Sequence, residues 1–331
     1  MISVSARSES WPYNKPFHIT GRTWTAIDVV VAVVRSQGAT GLGEAAGVYF
    51  RGESAPALAE AVRSIEAPSS SSPRAALMEL LPAGGARNAL DCAIWDLEAK
   101  LARQPVWRLA GLNAVRPLQT TFTIGADAPE QVAASAQALS GALALKLKLN
   151  GDGVDRERVR VVRQARPDVK LAVDANQGFT PDTLDRLMGA LVAAGVGLIE
   201  QPFPVGQDNL LENLDSPIPI AADESVCDIE DLDALVGRVS VVNIKLDKCG
   251  GLTRGLAMAA KARALGFKLM VGNMGGTSLA MAPGFVLGQL CDFADLDGPT
   301  VLRADRHPSV EYLDGAVHCP ETVWGGAVGA G

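Results

Sequence analysis

An α/β fold containing a closed (β/α)8-type barrel is predicted by three features of this 331-residue sequence. Strand-like and helix-like segments alternate from Leu118 onward, residues 1–115 read differently, and the polar residues of the alternating region collect at the ends of its strand-like segments. Strands alternating with helices give right-handed βαβ units and a parallel sheet. Eight such units between residues 116 and 301 suit closure into a barrel. An open doubly wound sheet is the alternative, but the turn TFTIGADAPE after the first strand lacks the glycine-rich phosphate fingerprint such sheets usually carry. At ~150 residues per domain, the length fits two domains or one barrel with an addition.

The elements follow in order. Ala26–Val34 (AIDVVVAVV) is β-branched and strand-like, Thr40–Ala45 (TGLGEA) reads as a turn, and Ser69–Ser72 followed by Pro73 reads as a surface loop. Leu90, Ile94, Leu97 and Leu101 recur at helical spacing, so ARNALDCAIWDLEAKLARQP is an amphipathic helix bounded by Pro105. The eight barrel strands are residues 118–125, 143–149, 170–176, 196–202, 218–223, 239–246, 268–274 and 293–298. Helices are expected over 129–139, 155–165, 181–194, 209–214, 228–236, 254–265 and 277–290.

Composition excludes several classes. Thirty Lys+Arg against 37 Asp+Glu give a net charge of −7, against the clustered basic surface that nucleic acid requires. Apolar residues make up 48% and charged residues 20%, the balance of a chain with a large core. No apolar run approaches the ~20 residues of a membrane span. MISVSARSESWPYNKPF has no basic start followed by an apolar block, so no signal peptide is expected. The five Cys form no C-x-x-C pair and read as buried free thiols of a reducing cytoplasmic compartment. The three His, at 18, 307 and 318, leave none as a base in the middle of the chain.

In a barrel of this kind the active site lies at the C-terminal ends of the strands. Asp174, Glu200 and Asp223 end strands three, four and five. Neighbouring strands are ~5 Å apart, so the three carboxylates can converge. Helix N-capping is the alternative for any one alone. Three on adjacent strand ends favour a divalent cation, which relieves their repulsion, and an all-oxygen shell suits Mg²⁺. Lys146 and Lys148 share one face of strand two, and Lys245 lies across the barrel on strand six. A lysine near another cation and a metal has its pKa pushed down and becomes a usable base; the alternative is ion pairing with the acidic ring. Thr121 and Thr123 on strand one either line the mouth or belong to the core. Asp295 and Asp297 lie two apart on strand eight and are expected to point the same way.

K-x-K on strand two, VDANQ, IEQP, ADES, NIKLDKCGGLT and the helix ALDCAIWDLEAKL together resemble the enolase superfamily, specifically its muconate-lactonizing subgroup. NIKLDKCGG, ADES and FADLDGP resemble the dipeptide epimerases within it. The resemblance implies an α+β capping domain formed by residues 1–115, to which residues 302–331 return, over a barrel of residues 116–301. It implies one Mg²⁺ on Asp174, Glu200 and Asp223, and an acid/base pair of Lys148 and Lys245. Lys146 would lower the pKa of Lys148 and touch the substrate carboxylate, and Asp295 and Asp297 would receive the substrate α-ammonium. Cap loops near His18–Trp24 and Val48–Glu53 would set specificity, with Arg22 and Arg51 as candidates to neutralise a glutamate side chain. Trp24 and Tyr49 in those loops would otherwise line an apolar pocket.

The implied substrate is a small dipeptide of the L-Ala-D/L-Glu kind, whose epimerisation suits recycling of cell-wall peptides. One lysine removes the α-proton and the other returns one to the opposite face, through an enediolate whose charge Mg²⁺ spreads. An N-acylamino-acid racemase, an o-succinylbenzoate synthase or a cycloisomerase would use the same lysines and metal without needing the paired aspartates. A barrel that merely holds Mg²⁺ is disfavoured by the two lysines. A homo-oligomer is compatible with the sequence; a nucleic-acid or membrane partner is not expected.

Overall fold

The computed structural model describes residues 2–65, 73–212 and 214–327; the serine cluster Ser69–Ser72 lies outside them. The chain opens with an antiparallel sheet of β1 (Ser3–Ile19), β2 (Arg22–Ser36) and β3 (Ala39–Ala45), in that order. The run Val29–Val34 is apolar throughout because β2 is buried on both faces. Val30, Ala32 and Val34 pack on the cap helices with Leu58, Val62, Leu90 and Ile94. Val29, Val31 and Val33 join a core shared with the barrel helices. The segment Thr40–Ala45, expected as a turn, is strand β3; the turn lies at Gln37–Gly38. Its glycines answer to close packing: a Cβ on Gly41 would lie 2.0 Å from the Ala93 carbonyl oxygen, and one on Gly43 2.1 Å from that of Ala89.

Helices α1 (Ala55–Arg63), α2 (Pro73–Leu80), α3 (Gly85–Ala102) and α4 (Val106–Leu109) follow. Helix α3 contains the expected stripe, with Leu90, Ile94 and Leu97 in the cap core, whereas Leu101 is exposed. Its opposite side is buried too, because Arg87 and Asp91 reach the loop before a barrel helix: Arg87 donates to the carbonyls of Cys249 and Gly250, and Asp91 accepts from Thr253. A helix wedged between two bodies therefore carries polar residues where solvent was expected.

After β4 (Leu118–Gln119) come eight parallel strands in sequential order: β5 (Phe122–Ile124), β6 (Ala144–Lys148), β7 (Lys170–Asp174), β8 (Val196–Glu200), β9 (Ile220–Ala222), β10 (Val241–Lys245), β11 (Lys268–Gly272) and β12 (Phe293–Ala294). The two edges meet at a parallel bridge between Thr120 and Ala294, where the Thr121 N–H donates to the Ala294 carbonyl at 3.0 Å and the Leu296 N–H to Thr120 Oγ1 at 2.9 Å. Around the barrel lie α5 (Pro129–Ala138), α6 (Asp155–Ala165), α7 (Pro181–Ala193), α8 (Leu246–Cys249), α9 (Leu252–Ala264) and α10 (Ser278–Gly288). The helices expected over 209–214 and 228–236 are only short 3₁₀ turns, at Asp208–Leu211, Ile229–Asp231 and Asp233–Leu235. In the second, Asp228 and Asp231 accept local backbone N–H groups, which competes with longer helix formation.

Strand periodicity sorts the barrel interior. Leu145 and Leu147 of β6 face the helix layer, while Leu198, Ala221, Val241 and Met270 form a small apolar floor. Two residues beyond the floor on their strands stand Glu200 and Asn243, and beyond Asn243 stands Lys245. The tail forms a hairpin, β13 (Glu311–Leu313) and β14 (Ala316–His318), which pairs with β4 at the entry to β5. It then reaches the cap, where Trp324 Nε1 donates to the Leu42 carbonyl and the Gly325 N–H to Asp96. No helix among the described residues is long and apolar enough to cross a membrane.

Candidate active site

Asp174, Glu200 and Asp223 stand at the C-terminal ends of three adjacent strands, β7, β8 and β9. All three are buried, and each offers an oxygen within 4.8 Å of the other two. Burial, and next the charge of Asp174, push Glu200 up to about 8. Burial acts to raise Asp223 as well, but the ammoniums of Lys245 and Lys248 hold it below the usual carboxylate range. A hard, all-oxygen donor set whose members repel one another in a buried place fits a divalent cation. The triad could hold one metal ion.

The lysines are interleaved with this triad. Lys148 Nζ donates to Asp174 Oδ2 at 2.5 Å, and Lys245 Nζ to Asp223 Oδ2 at 2.6 Å. With β6 second and β10 sixth in a closed ring of eight strands, the two ammoniums approach from opposite sides. Lys146 pairs with Asp295 and lies 3.4 Å from Glu200 Oε2. Burial alone would lower Lys146 and Lys245, but Asp295 and Glu200 around the first, and Asp223 and Glu200 around the second, hold both above the ordinary lysine value.

The two aspartates expected on strand eight lie beyond β12, which ends at Ala294, and their side chains have separate partners. Asp295 is taken by Lys146 and by Thr121, whose Oγ1 donates to Asp295 Oδ1 at 2.6 Å. Asp297 accepts the Thr123 N–H at 2.6 Å, and burial followed by the charge of Asp295 pushes it up to about 6. Among the described residues no cation pairs with Asp297. Lys248 is fully buried behind the triad, donating to Asp223 Oδ1 at 2.5 Å and to the Asn243 carbonyl at 3.0 Å.

The cap closes this mouth over a cavity of about 470 Å³. Lys146, Lys148, Lys245, Thr123, Asp295 and Asp297 line it from the barrel, and Arg22, Trp24 and Tyr49 from the cap. The turn between β1 and β2 is moored to the barrel by Thr20 Oγ1, which donates to the Ala175 carbonyl at 3.0 Å. Arg22 stacks on Tyr49, 5.0 Å from the ring centroid, and Trp24 meets the same ring edge-on at 5.3 Å. Arg51, the other cap arginine considered, does not line the cavity.

Three residues with a part in this site were not singled out from the sequence. Asn243 Nδ2 donates to Glu200 Oε1 at 2.8 Å, and its signal was its place two residues before Lys245 on the same strand face. Lys248 follows Lys245 by three residues and sits on the helical turn α8. Glu224, which accepts from Asn176 Nδ2 at 3.1 Å, follows Asp223 directly.

Residues 1–111 match the family model "Mandelate racemase / muconate lactonizing enzyme, N-terminal domain", and residues 130–324 match "Enolase C-terminal domain-like". The chain belongs to the mandelate racemase/muconate lactonizing enzyme family of the enolase superfamily. It is 40% identical over 321 residues to an L-Ala-D/L-Glu epimerase of Escherichia coli strain K12, covering 96% of this chain and 100% of that protein. It is 41% identical over 252 residues to an N-acetyl-D-glutamate racemase of a Pseudoalteromonas species, covering 76% and 79%. An enolase family member from Agrobacterium tumefaciens with homology to dipeptide epimerases, solved with sodium and L-Ala-L-Glu, superposes with a TM-score of 0.93 at 37% identity over 98% of this chain and 100% of that one. A dipeptide epimerase from Methylococcus capsulatus, complexed with Mg and L-Arg-D-Lys, gives 0.89 at 31% identity, covering 98% of each chain.

Proposed function

We propose that the protein is a Mg²⁺-dependent epimerase acting at the α-carbon of the C-terminal residue of a dipeptide, with an L-Ala-D/L-Glu-like substrate. The observation that carries this reading is the pair of ammoniums, Lys148 and Lys245, set on opposite sides of the cavity beside a triad fit for a metal. The dipeptide epimerases among its relatives support the same reading. Bound to Asp174, Glu200 and Asp223, Mg²⁺ supplies positive charge for the substrate carboxylate as negative charge develops there. Lys148 removes the α-proton from one face, Lys245 delivers a proton to the other, and the centre inverts; running the reaction backwards exchanges their roles. Lys146, kept protonated by its pairing with Asp295, presents its ammonium to the carboxylate without competing as a base. Asp297, with Thr123 fixing its carboxylate, receives the α-ammonium through a charge-assisted hydrogen bond. Arg22 meets the side-chain carboxylate of the epimerised glutamate across the Tyr49 ring.

One observation favours a second reading, an N-acylamino-acid racemase. Asp295 is already paired with Lys146, so a single carboxylate faces the ammonium rather than two. Incubation with Mg²⁺ in deuterated water decides between them by mass spectrometry. L-Ala-L-Glu should gain deuterium at the glutamate α-carbon faster than N-acetyl-glutamate, and chelator should stop the exchange until Mg²⁺ is restored. Faster exchange of the N-acyl compound would transfer the assignment to the racemase, and full exchange in chelator would remove the metal from the mechanism.

A further inference from the structure

The helical turn after Lys245 carries a buried carboxylate that the reaction above does not use. Lys245 immediately precedes α8, and Asp247 is the second residue of that turn. Asp247 is 5% exposed and does not line the cavity. Its Oδ1 accepts the N–H of Gly47 at 3.0 Å, and the Ala46 backbone and the Asn88 side chain lie beside it and act to lower its pKa. The charge facing it is another carboxylate, Glu53; burial, and then Glu53, push it up to about 7. Glu53 Oε2 in turn accepts the N–H of Val48 at 2.8 Å and of Gly85 at 3.0 Å. Two consecutive backbone donors of the cap, Gly47 and Val48, thus point at two carboxylates, Asp247 buried and Glu53 half-buried, and the barrel supplies the first of them.

The path leaves this segment little freedom. Gly47 has φ +81°, and a Cβ there would come 2.7 Å from Leu58 Cδ1. Two residues on, Tyr49 forms the cavity wall beneath Arg22 and Trp24 and lies in the field of Lys245 and Glu224. A buried carboxylate without a cation is costly, and an apolar side chain would fill the same space at lower cost. What the carboxylate adds is an acceptor for the buried Gly47 N–H, which would otherwise be stranded.

We infer that Asp247 is a positioning residue, fastening cap segment 46–49 to the turn that bears Lys245 so that the Tyr49 wall and the Lys245 ammonium keep one geometry. The inference rests on the reading of Lys148 and Lys245 as two opposed bases, and it makes the effect of Asp247 one-sided.

The test measures α-deuterium exchange separately on each epimer of Ala-Glu. Lys148→Ala and Lys245→Ala first assign the epimers, since each should abolish exchange of a different one. Because small misplacements near the chemistry can cost as much as ~10²-fold, Asp247→Asn should slow exchange of the Lys245-dependent epimer by about tenfold or more and leave the other within about threefold. Mn²⁺ affinity, measured by titration, should stay unchanged, because no triad residue is touched. Asn88→Ala, which removes a polar neighbour of Asp247 without removing charge, should shift the same epimer to a smaller degree and serves if Asp247→Asn fails to fold. If the two lysine variants do not lose opposite epimers, the two-base reading falls and this inference with it. If they do, but Asp247→Asn (or Asn88→Ala in its place) slows both epimers equally or neither, the positioning role alone is overturned.

Discussion

The barrel mouth and the cap loops enclose one cavity and are built in opposite ways. At the mouth, Lys146, Lys148, Lys245, the acidic triad and Asp295 are buried and held by one another at ion-pair distances. On the cap side Arg22 is exposed, and its partner is the face of Tyr49. Groups locked in a mutual network are set before substrate arrives, which favours proton transfer at a fixed place. A guanidinium resting on a ring keeps its hydrogen-bonding edge for whatever side chain enters. The mouth therefore fits the role of chemistry and the cap that of selection, and changes on the two sides should produce different kinetic signatures.

The largest effect should come from the mouth. Lys148→Ala or Lys245→Ala should lower kcat for epimerisation by at least ~10²–10⁴-fold, the usual contribution of an acid/base group, while KM changes little. Near-normal interconversion by either variant would dissolve the distinction between mouth and cap. A smaller effect is expected from the cap: Arg22→Met should raise KM for dipeptides ending in glutamate by roughly 10–100-fold, in line with the ~1.5–3 kcal/mol of a hydrogen bond to a charged group, with kcat near normal. Steady-state assays against L-Ala-L-Glu and L-Ala-L-Leu would read it, since the leucine dipeptide should lose nothing. A fall in kcat for both substrates would place Arg22 in the chemistry.

The smallest effect is a pH dependence at the boundary between the two. Asp297 is pushed up to about 6 by burial and by Asp295. As pH falls through that value its carboxylate gains a proton and loses the charge that attracts an ammonium. KM for a free dipeptide should therefore be flat above pH 7 and rise by up to about tenfold per pH unit below 6. Asp297→Asn should raise KM and flatten the profile. A wild-type profile that is flat down to pH 5 would show that this carboxylate does not hold the ammonium.

The mouth was legible because strand periodicity of two assigns residues to an inner or outer face without reference to anything distant. Lys146 and Lys148 alternate with leucines that face the helices, and Asp174, Glu200 and Asp223 end successive strands. What escaped was fixed by tertiary contact. The glycines of β3 looked like a turn because the helix pressed against them lies some fifty residues away. Asp297 read as a residue of strand eight, but that strand ends at Ala294 and Asp297 lies beyond it beside Thr123, while Lys248 has left its strand for the helical turn behind Asp223. Arg22 and Arg51 could not be ranked from spacing, since loop direction depends on where Thr20 moors the hairpin.

The barrel closes at its weakest ladder, the lone bridge between Thr120 and Ala294, and side chains finish the stitching. Thr121 ties to Asp295 and the Thr123 N–H ties to Asp297, so two carboxylates that line the cavity also hold the first and last strands together. Divergence toward substrates without an ammonium thus meets a mechanical constraint. An apolar replacement at position 297 would unfasten the seam as it removes the charge, whereas Asn would drop the charge and still clasp the Thr123 amide. Lineages that change what they bind here should travel through such isosteres, with the architecture of the closure filtering which specificities are reachable in one step.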